Sequence, residues 1–129
     1  MVLLNLQTDY DVFNYVKQHL LNQNEKSTEP YSLSCYYRTQ NEEGKVLMCA
    51  VGCLMDDRYY SPEFENSSPS DIRVRTAIEN SIPNWTYNVD LLSELQNLHD
   101  EREPYHWAIG FENLESYFGG VNNEFIQAG

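Results

Sequence analysis

At 129 residues the chain is sized for one domain with a real hydrophobic core and no need of disulfide staples. Hydrophobic residues at 41% and aromatics at 13% argue against a disordered chain, and no apolar run approaches the ~18 residues of a membrane span. Asp and Glu number 20 against 8 Lys and Arg, a net charge of −12 whose field repels phosphate backbones and anionic lipid. Direct nucleic-acid binding and membrane binding are therefore disfavoured.

Met1-Val2-Leu3-Leu4 is apolar but has neither a basic flank nor a cleavage site, so no signal peptide is expected and the chain reads as cytoplasmic. Thr8 can cap a helix, with Asp9 and Asp11 in a first turn where the helix dipole favours acids. Val12, Phe13, Val16 and Leu20 follow at helical spacing, and this helix should end near Asn22. Asn22 to Pro30 is a polar loop. Tyr31 to Thr39 and Lys45 to Met48 favour strands and form a β-hairpin, with Gly44 supplying a positive φ at the turn. Ala50 to Met55 reads as a short helix that sets Cys49 and Cys53 one turn apart, and Gly52 permits another element to come close. Ser61 to Ser70, rich in Ser and Pro, is a loop.

Asp71 to Ser81 carries a strand-like alternation, but Ser70-Asp71 is a capping start and helix is the reading adopted, broken at Pro83. Asn88 or Asp90 opens the next helix, whose Leu91, Leu92, Leu95 and Leu98 form an apolar stripe. Pro104 opens the last helix, with Trp107, Phe111, Leu114 and Phe118 on one face and Gly119-Gly120 as its stop. There is no internal repeat and no long linker. The sum is a single α+β domain over residues 1–120, four or five helices packed with a small antiparallel hairpin, and a tail at 121–129.

The most patterned stretch is Cys35-Tyr36-Tyr37-Arg38, a Gly turn, Cys49-Ala50-Val51-Gly52-Cys53-Leu54, then Asp57-Arg58-Tyr59-Tyr60-Ser61-Pro62, followed downstream by Leu95-Gln96 and His99-Asp100. Over roughly residues 33 to 107 it resembles a family of short bacteriophage and prophage proteins with a Cys-x-Tyr-Arg … Cys-Ala-x-Gly-Cys-Leu … Asp-x-x-Tyr-x-Pro pattern. Met55-Asp56 departs from that pattern, where Ile-Pro-Asp is usual. The resemblance implies a phage setting and no particular reaction. Cys35, Arg38, Cys49, Gly52 and Cys53 read as its structural signature, with Arg38 able to cross the hairpin and pair with Asp57.

Chemistry is sparse. The three cysteines are an odd count, so reduced, buried thiols are expected. Cys35, Cys49, Cys53 and His99 could supply soft zinc ligands, but a single close Cys pair facing one Cys and one distant His is not zinc-knuckle spacing. A Cys49 or Cys53 nucleophile activated by His99, with Asp100 or Glu101 as orienting acid, is hindered because adjacent side chains on a helix point apart. The acids Asp56, Asp57 and Glu63 read as a solvated loop more than as an acid–base pair. No catalytic residue, metal or cofactor is expected.

A small acidic phage accessory protein that binds and modulates a host protein accounts for these features best. A nucleic-acid-binding or defence component with a basic surface is the natural target. The candidate surface is Asp56, Asp57, Tyr59, Tyr60, Glu63 and Glu65, with Tyr37 and Tyr60 as the tyrosines expected to be exposed. The alternative is a small thiol-dependent enzyme using the Cys49/His99 region.

Overall fold

A computed structural model describes residues 4–28 and 35–121. Helix α1 spans Asp9–Gln23. Thr8 caps it with a reciprocal box: its hydroxyl accepts from the Asp11 N–H at 3.0 Å and the Asp11 carboxylate accepts from the Thr8 N–H at 3.2 Å. Val12, Phe13, Val16 and Leu20 are buried, and Asn24 ends the helix in the left-handed region at φ 51°.

Strands β1 (Arg38–Gln40) and β2 (Val46–Met48) pair antiparallel in the register Arg38 with Met48, Thr39 with Leu47 and Gln40 with Val46. Gly44 turns the chain at φ 81°, and the Asn41 side chain accepts from the Glu43 and Lys45 N–H groups, both at 2.9 Å. The first strand is shorter than the sequence suggests. Cys35 instead bridges to Thr28, and the Tyr37 and Arg38 N–H groups are taken by the Glu65 carboxylate. Tyr31–Ser34, assigned to that strand from sequence, lie outside the described residues.

The segment after Cys49 is not an α-helix. One α-type bond runs from the Cys53 N–H to the Cys49 carbonyl, and the next two bonds tighten into a 3-10 turn at Gly52–Leu54. Met55 then leaves in an extended conformation, so the turn cannot propagate. Within the Ser61–Ser70 loop, Ser61 caps a further 3-10 turn at Pro62–Phe64.

Helix α2 (Ile72–Ser81) is capped by Asp71, and α3 (Val89–Glu101) by Asn88, whose side chain accepts from Leu91 N–H at 3.1 Å. A 3-10 turn at Pro104–His106 leads into α4 (Trp107–Val121). Gly119-Gly120 does not stop α4, which runs through both. Glycine costs a helix about 1 kcal/mol but ends it only by turning left-handed, and Gly44 is the glycine that does so among the described residues. Residues 122–129, the greater part of the expected tail, lie outside the described residues.

The architecture is α+β: among the described residues, four α-helices and a two-stranded antiparallel sheet. The buried stripes of α1, α3 and α4 meet in one core, with Phe13 and Phe111 edge to face at 5.8 Å. The segment Cys49–Met55 inserts into that core and is buried throughout. Among the described residues no helix is long and apolar enough to cross a membrane.

Candidate functional site

The last turn of α3 carries a dense polar network. His99 is fully buried and lies stacked against Trp107, ring centroids 5.5 Å apart. Its Nε2 receives the Ser27 backbone N–H at 3.0 Å, and its Nδ1 meets Asp100 Oδ1 at 2.7 Å. A backbone amide only donates, so Nε2 accepts and Nδ1 carries the proton donated to Asp100. Adjacent side chains thus do form the pair that sequence reasoning set aside. The Asp100 carboxylate is drawn back along α3 by Gln96, one turn earlier, whose Nε2 donates to Oδ1 at 2.8 Å.

Cys35, not Cys49 or Cys53, joins this pair. Its Sγ, an imidazole nitrogen and an Asp100 oxygen lie within 4.8 Å of one another. Burial raises the Asp100 carboxyl, but donation from His99, Gln96 and Cys35 more than offsets it and leaves the group below the usual carboxylate range. Burial, then the neighbouring Asp100, pushes the Cys35 thiol up to about 11. Cys35 and Asp100 sit on the wall of a cleft of about 360 Å³ shared with Tyr36, Glu65, Ser67 and Asn97.

Two chemistries are open to such a cluster, and the geometry opposes both. A thiol nucleophile needs a base, yet the free lone pair of His99 is already occupied by Ser27 and the carboxylate beside Cys35 resists thiolate formation. A metal on Nδ1 needs Nε2 to donate outward, but Nε2 faces an N–H. What the cluster does mechanically is lock the Ser27 and Cys35 segments onto α3, with Lys26 Nζ adding a bond to the Asp100 carbonyl at 3.0 Å.

Cys49 and Cys53 are core thiols. Burial drives Cys49 up to about 12 and Cys53 well above its ordinary value, which disfavours either thiol as the nucleophile. The Cys53 thiol donates to the Ala50 carbonyl at 3.2 Å, and Cys49 Sγ lies 3.3 Å from the Gly52 N–H. Because folding raises these values, the stabilisation is complete below the unfolded thiol value of ~8.5 and is lost as pH rises towards the folded one. Melting temperature should therefore fall steadily between about pH 8.5 and 11, and less steeply in Cys49→Ala. A flat alkaline limb in the parent protein would contradict thiol burial.

The acidic loop is largely occupied with itself. Asp56 pairs with Arg58 at 3.1 Å, and Asp57 pairs with Arg38 at 2.5 Å. Glu65 turns inward, accepting from Tyr37 N–H at 2.8 Å, Arg38 N–H at 3.2 Å and Tyr60 O–H at 2.6 Å. Glu63 is exposed, and Tyr59 and Tyr60 are half-buried beside Arg58 and Arg38. Tyr37 is buried rather than exposed, because its hydroxyl reaches inward to the Ser67 carbonyl.

Arg38 ties sheet to loop as its position suggested, through Asp57, the Met55 carbonyl and the Tyr60 ring at 4.6 Å. Asp57 is 77% exposed, so the ion pair itself is weak. Arg38→Ala should thus destabilise by about 1–2 kcal/mol, with Asp57→Ala and the coupling between them each below ~1 kcal/mol. Equal losses from the two single changes in denaturant melts would refute that division of roles.

Another feature escaped the sequence reading. Asp90, Glu94, Asn97 and Glu101 line one exposed wall of α3, at i, i+4, i+7 and i+11. They border a groove of about 1210 Å³ between α3 and α4, with Leu98, Gly110 and Leu114 along it and Tyr105, 75% exposed, at one end. Asp90, Glu94 and Glu101 form no ion pair with the described residues. The same helical count that gave the leucine stripe would have exposed this one.

No family model matches the chain, and neither a curated protein nor a solved structure matches it.

Proposed function

We propose that this is an acidic phage accessory protein that binds a basic surface of a host protein in the cytoplasm of the infected cell. The observation that carries this reading is the row of exposed carboxylates on α3, which are not spent on internal ion pairs, beside a groove with an exposed tyrosine. Such a surface steers a cationic partner and repels nucleic acid. The loop acids Asp56, Asp57 and Glu65 have internal partners, so the α3 face is the stronger candidate for contact.

The test is capture from host lysate at low and high salt, comparing the parent with Glu94→Lys/Glu101→Lys and with Asp56→Lys/Glu63→Lys. A partner lost with salt and with the α3 reversals supports the reading. Loss with the loop reversals alone moves the surface back to the loop, and capture that ignores salt and all four changes overturns it.

A second reading, a small thiol-dependent enzyme, is favoured by the Cys35–Asp100–His99 cluster at a cleft. It requires a thiolate, so rapid alkylation of Cys35 at pH 7 would promote it. The raised thiol predicts slow alkylation that accelerates only above about pH 9.

A further inference from the structure

We infer that the α3–α4 groove receives a basic amphipathic helix of the partner protein, an inference that rests on the acidic-surface reading above. Three acids, Asp90, Glu94 and Glu101, share one face with Asn97 over three turns of α3, a row about 17 Å long at 1.5 Å per residue. A helix laid alongside, with Lys or Arg at i, i+4, i+7 and i+11, meets the carboxylates of Asp90, Glu94 and Glu101 and the amide oxygen of Asn97, whereas an extended strand or a flat basic patch does not keep that step.

The groove also offers apolar contact next to the charge. Gly110 closes the floor, packed so tightly that a Cβ there would stand 3.0 Å from Leu98 Cδ1 and 3.2 Å from Arg102 Cδ, and Leu114, half-buried one turn further along α4, supplies the apolar contact. Tyr105 stands at the end with its ring largely in solvent, the residue type that most often anchors an interface. At about 1210 Å³ the groove exceeds the ~300–1,000 Å³ of small-molecule pockets and suits a peptide element.

Charge selects the occupant. A second copy of this chain carries −12 and would be repelled, and the chain's own residues 122–129 contain Glu124 and no Lys or Arg. Arg102, the single Arg or Lys lining the groove, stands at the C-terminal end of α3, which gives the row of acids a direction and the bound helix a preferred orientation.

Two fluorescent peptides of identical composition separate the possibilities by anisotropy at low salt. In one, Lys recurs at i, i+4, i+7, i+11 beside a Leu face; in the other the order is scrambled. The expected result is binding at least tenfold tighter for the ordered peptide, lost at least tenfold in Glu94→Lys/Glu101→Lys and reduced several-fold in Tyr105→Ala, with both variants folded by circular dichroism. Equal binding of the two peptides overturns the helix inference and leaves the acidic-surface reading standing. Binding of neither by the parent overturns both. A chain ending at Val121 that binds at least tenfold tighter than the full chain, or a dimer that Glu94→Lys/Glu101→Lys dissociates, would mean the groove is already filled and would overturn the inference.

Discussion

Gly52→Ala should destabilise this protein by about 3 kcal/mol or more, the largest effect expected of any single added methyl group. A Cβ on Gly52 would stand 2.0 Å from the Tyr37 carbonyl oxygen and 2.7 Å from its carbon. Those are backbone atoms, so no rotamer change relieves the overlap. Nor can the Tyr37 backbone shift freely, because its carbonyl accepts from the Cys49 N–H at 3.2 Å and its N–H is held by Glu65. Moving it would uncouple the hairpin from both the Cys49–Met55 turn and the acidic loop. Gly44→Ala is the matched control: it has open space around it and a φ of 81°, so its cost is only the ~1 kcal/mol of holding alanine left-handed. Denaturant melts should rank the two clearly, with a melting temperature for Gly52→Ala lower by roughly 10 °C. Similar small losses for both glycines would mean that the close approach at Gly52 is not tight.

Gly52 also marks how far sequence carries. Its role was legible because a glycine among Cys, Ala and Leu signals close approach, and the α1 cap was legible because Thr8 and Asp11 interact within one turn. The helices α1, α2 and α3 followed from spacing, since an apolar stripe and a cap are both local. What spacing could not supply were contacts made across the fold. Glu65 reads as one more loop acid until the chain closes and sets it over the N–H groups of Tyr37 and Arg38. Likewise the thiol nearest His99 is Cys35, the more distant in sequence, because Ser27 and Cys35 are brought to α3 together. The short turn at Gly52–Leu54 was misjudged for a related reason: Cys49–Met55 is shaped by burial and by its neighbours more than by helix propensity. The α3 carboxylate row is the exception, a local pattern set by the same helical spacing as the leucine stripe beside it.

His99→Leu should rank close behind Gly52→Ala, at about 3 kcal/mol, although it keeps the apolar volume against Trp107. The loss is polar. Leucine leaves the Ser27 N–H without an acceptor and takes from Asp100 the imidazole donor at 2.7 Å. An orphaned buried N–H alone costs roughly 1–3 kcal/mol, and a part-buried carboxylate short of a donor adds to it. His99→Gln should recover part of this, since an amide can replace one of the two bonds. Cys35→Ala should cost well under 1 kcal/mol if the thiol is only a weak donor at the rim of the network. The acid limb provides a separate readout. Folding lowers the Asp100 carboxyl, so its stabilisation is present above the unfolded value of ~3.9 and is lost as pH falls through the lower folded one. Without His99 that lowering shrinks, and stability should fall less steeply with acid in His99→Leu than in the parent. If His99 served catalysis rather than the lock between Ser27 and α3, the leucine variant would melt like the parent while losing an activity, and Cys35→Ala would lose it too. Equal melting of parent and His99→Leu is thus the outcome that would return the cluster to chemistry.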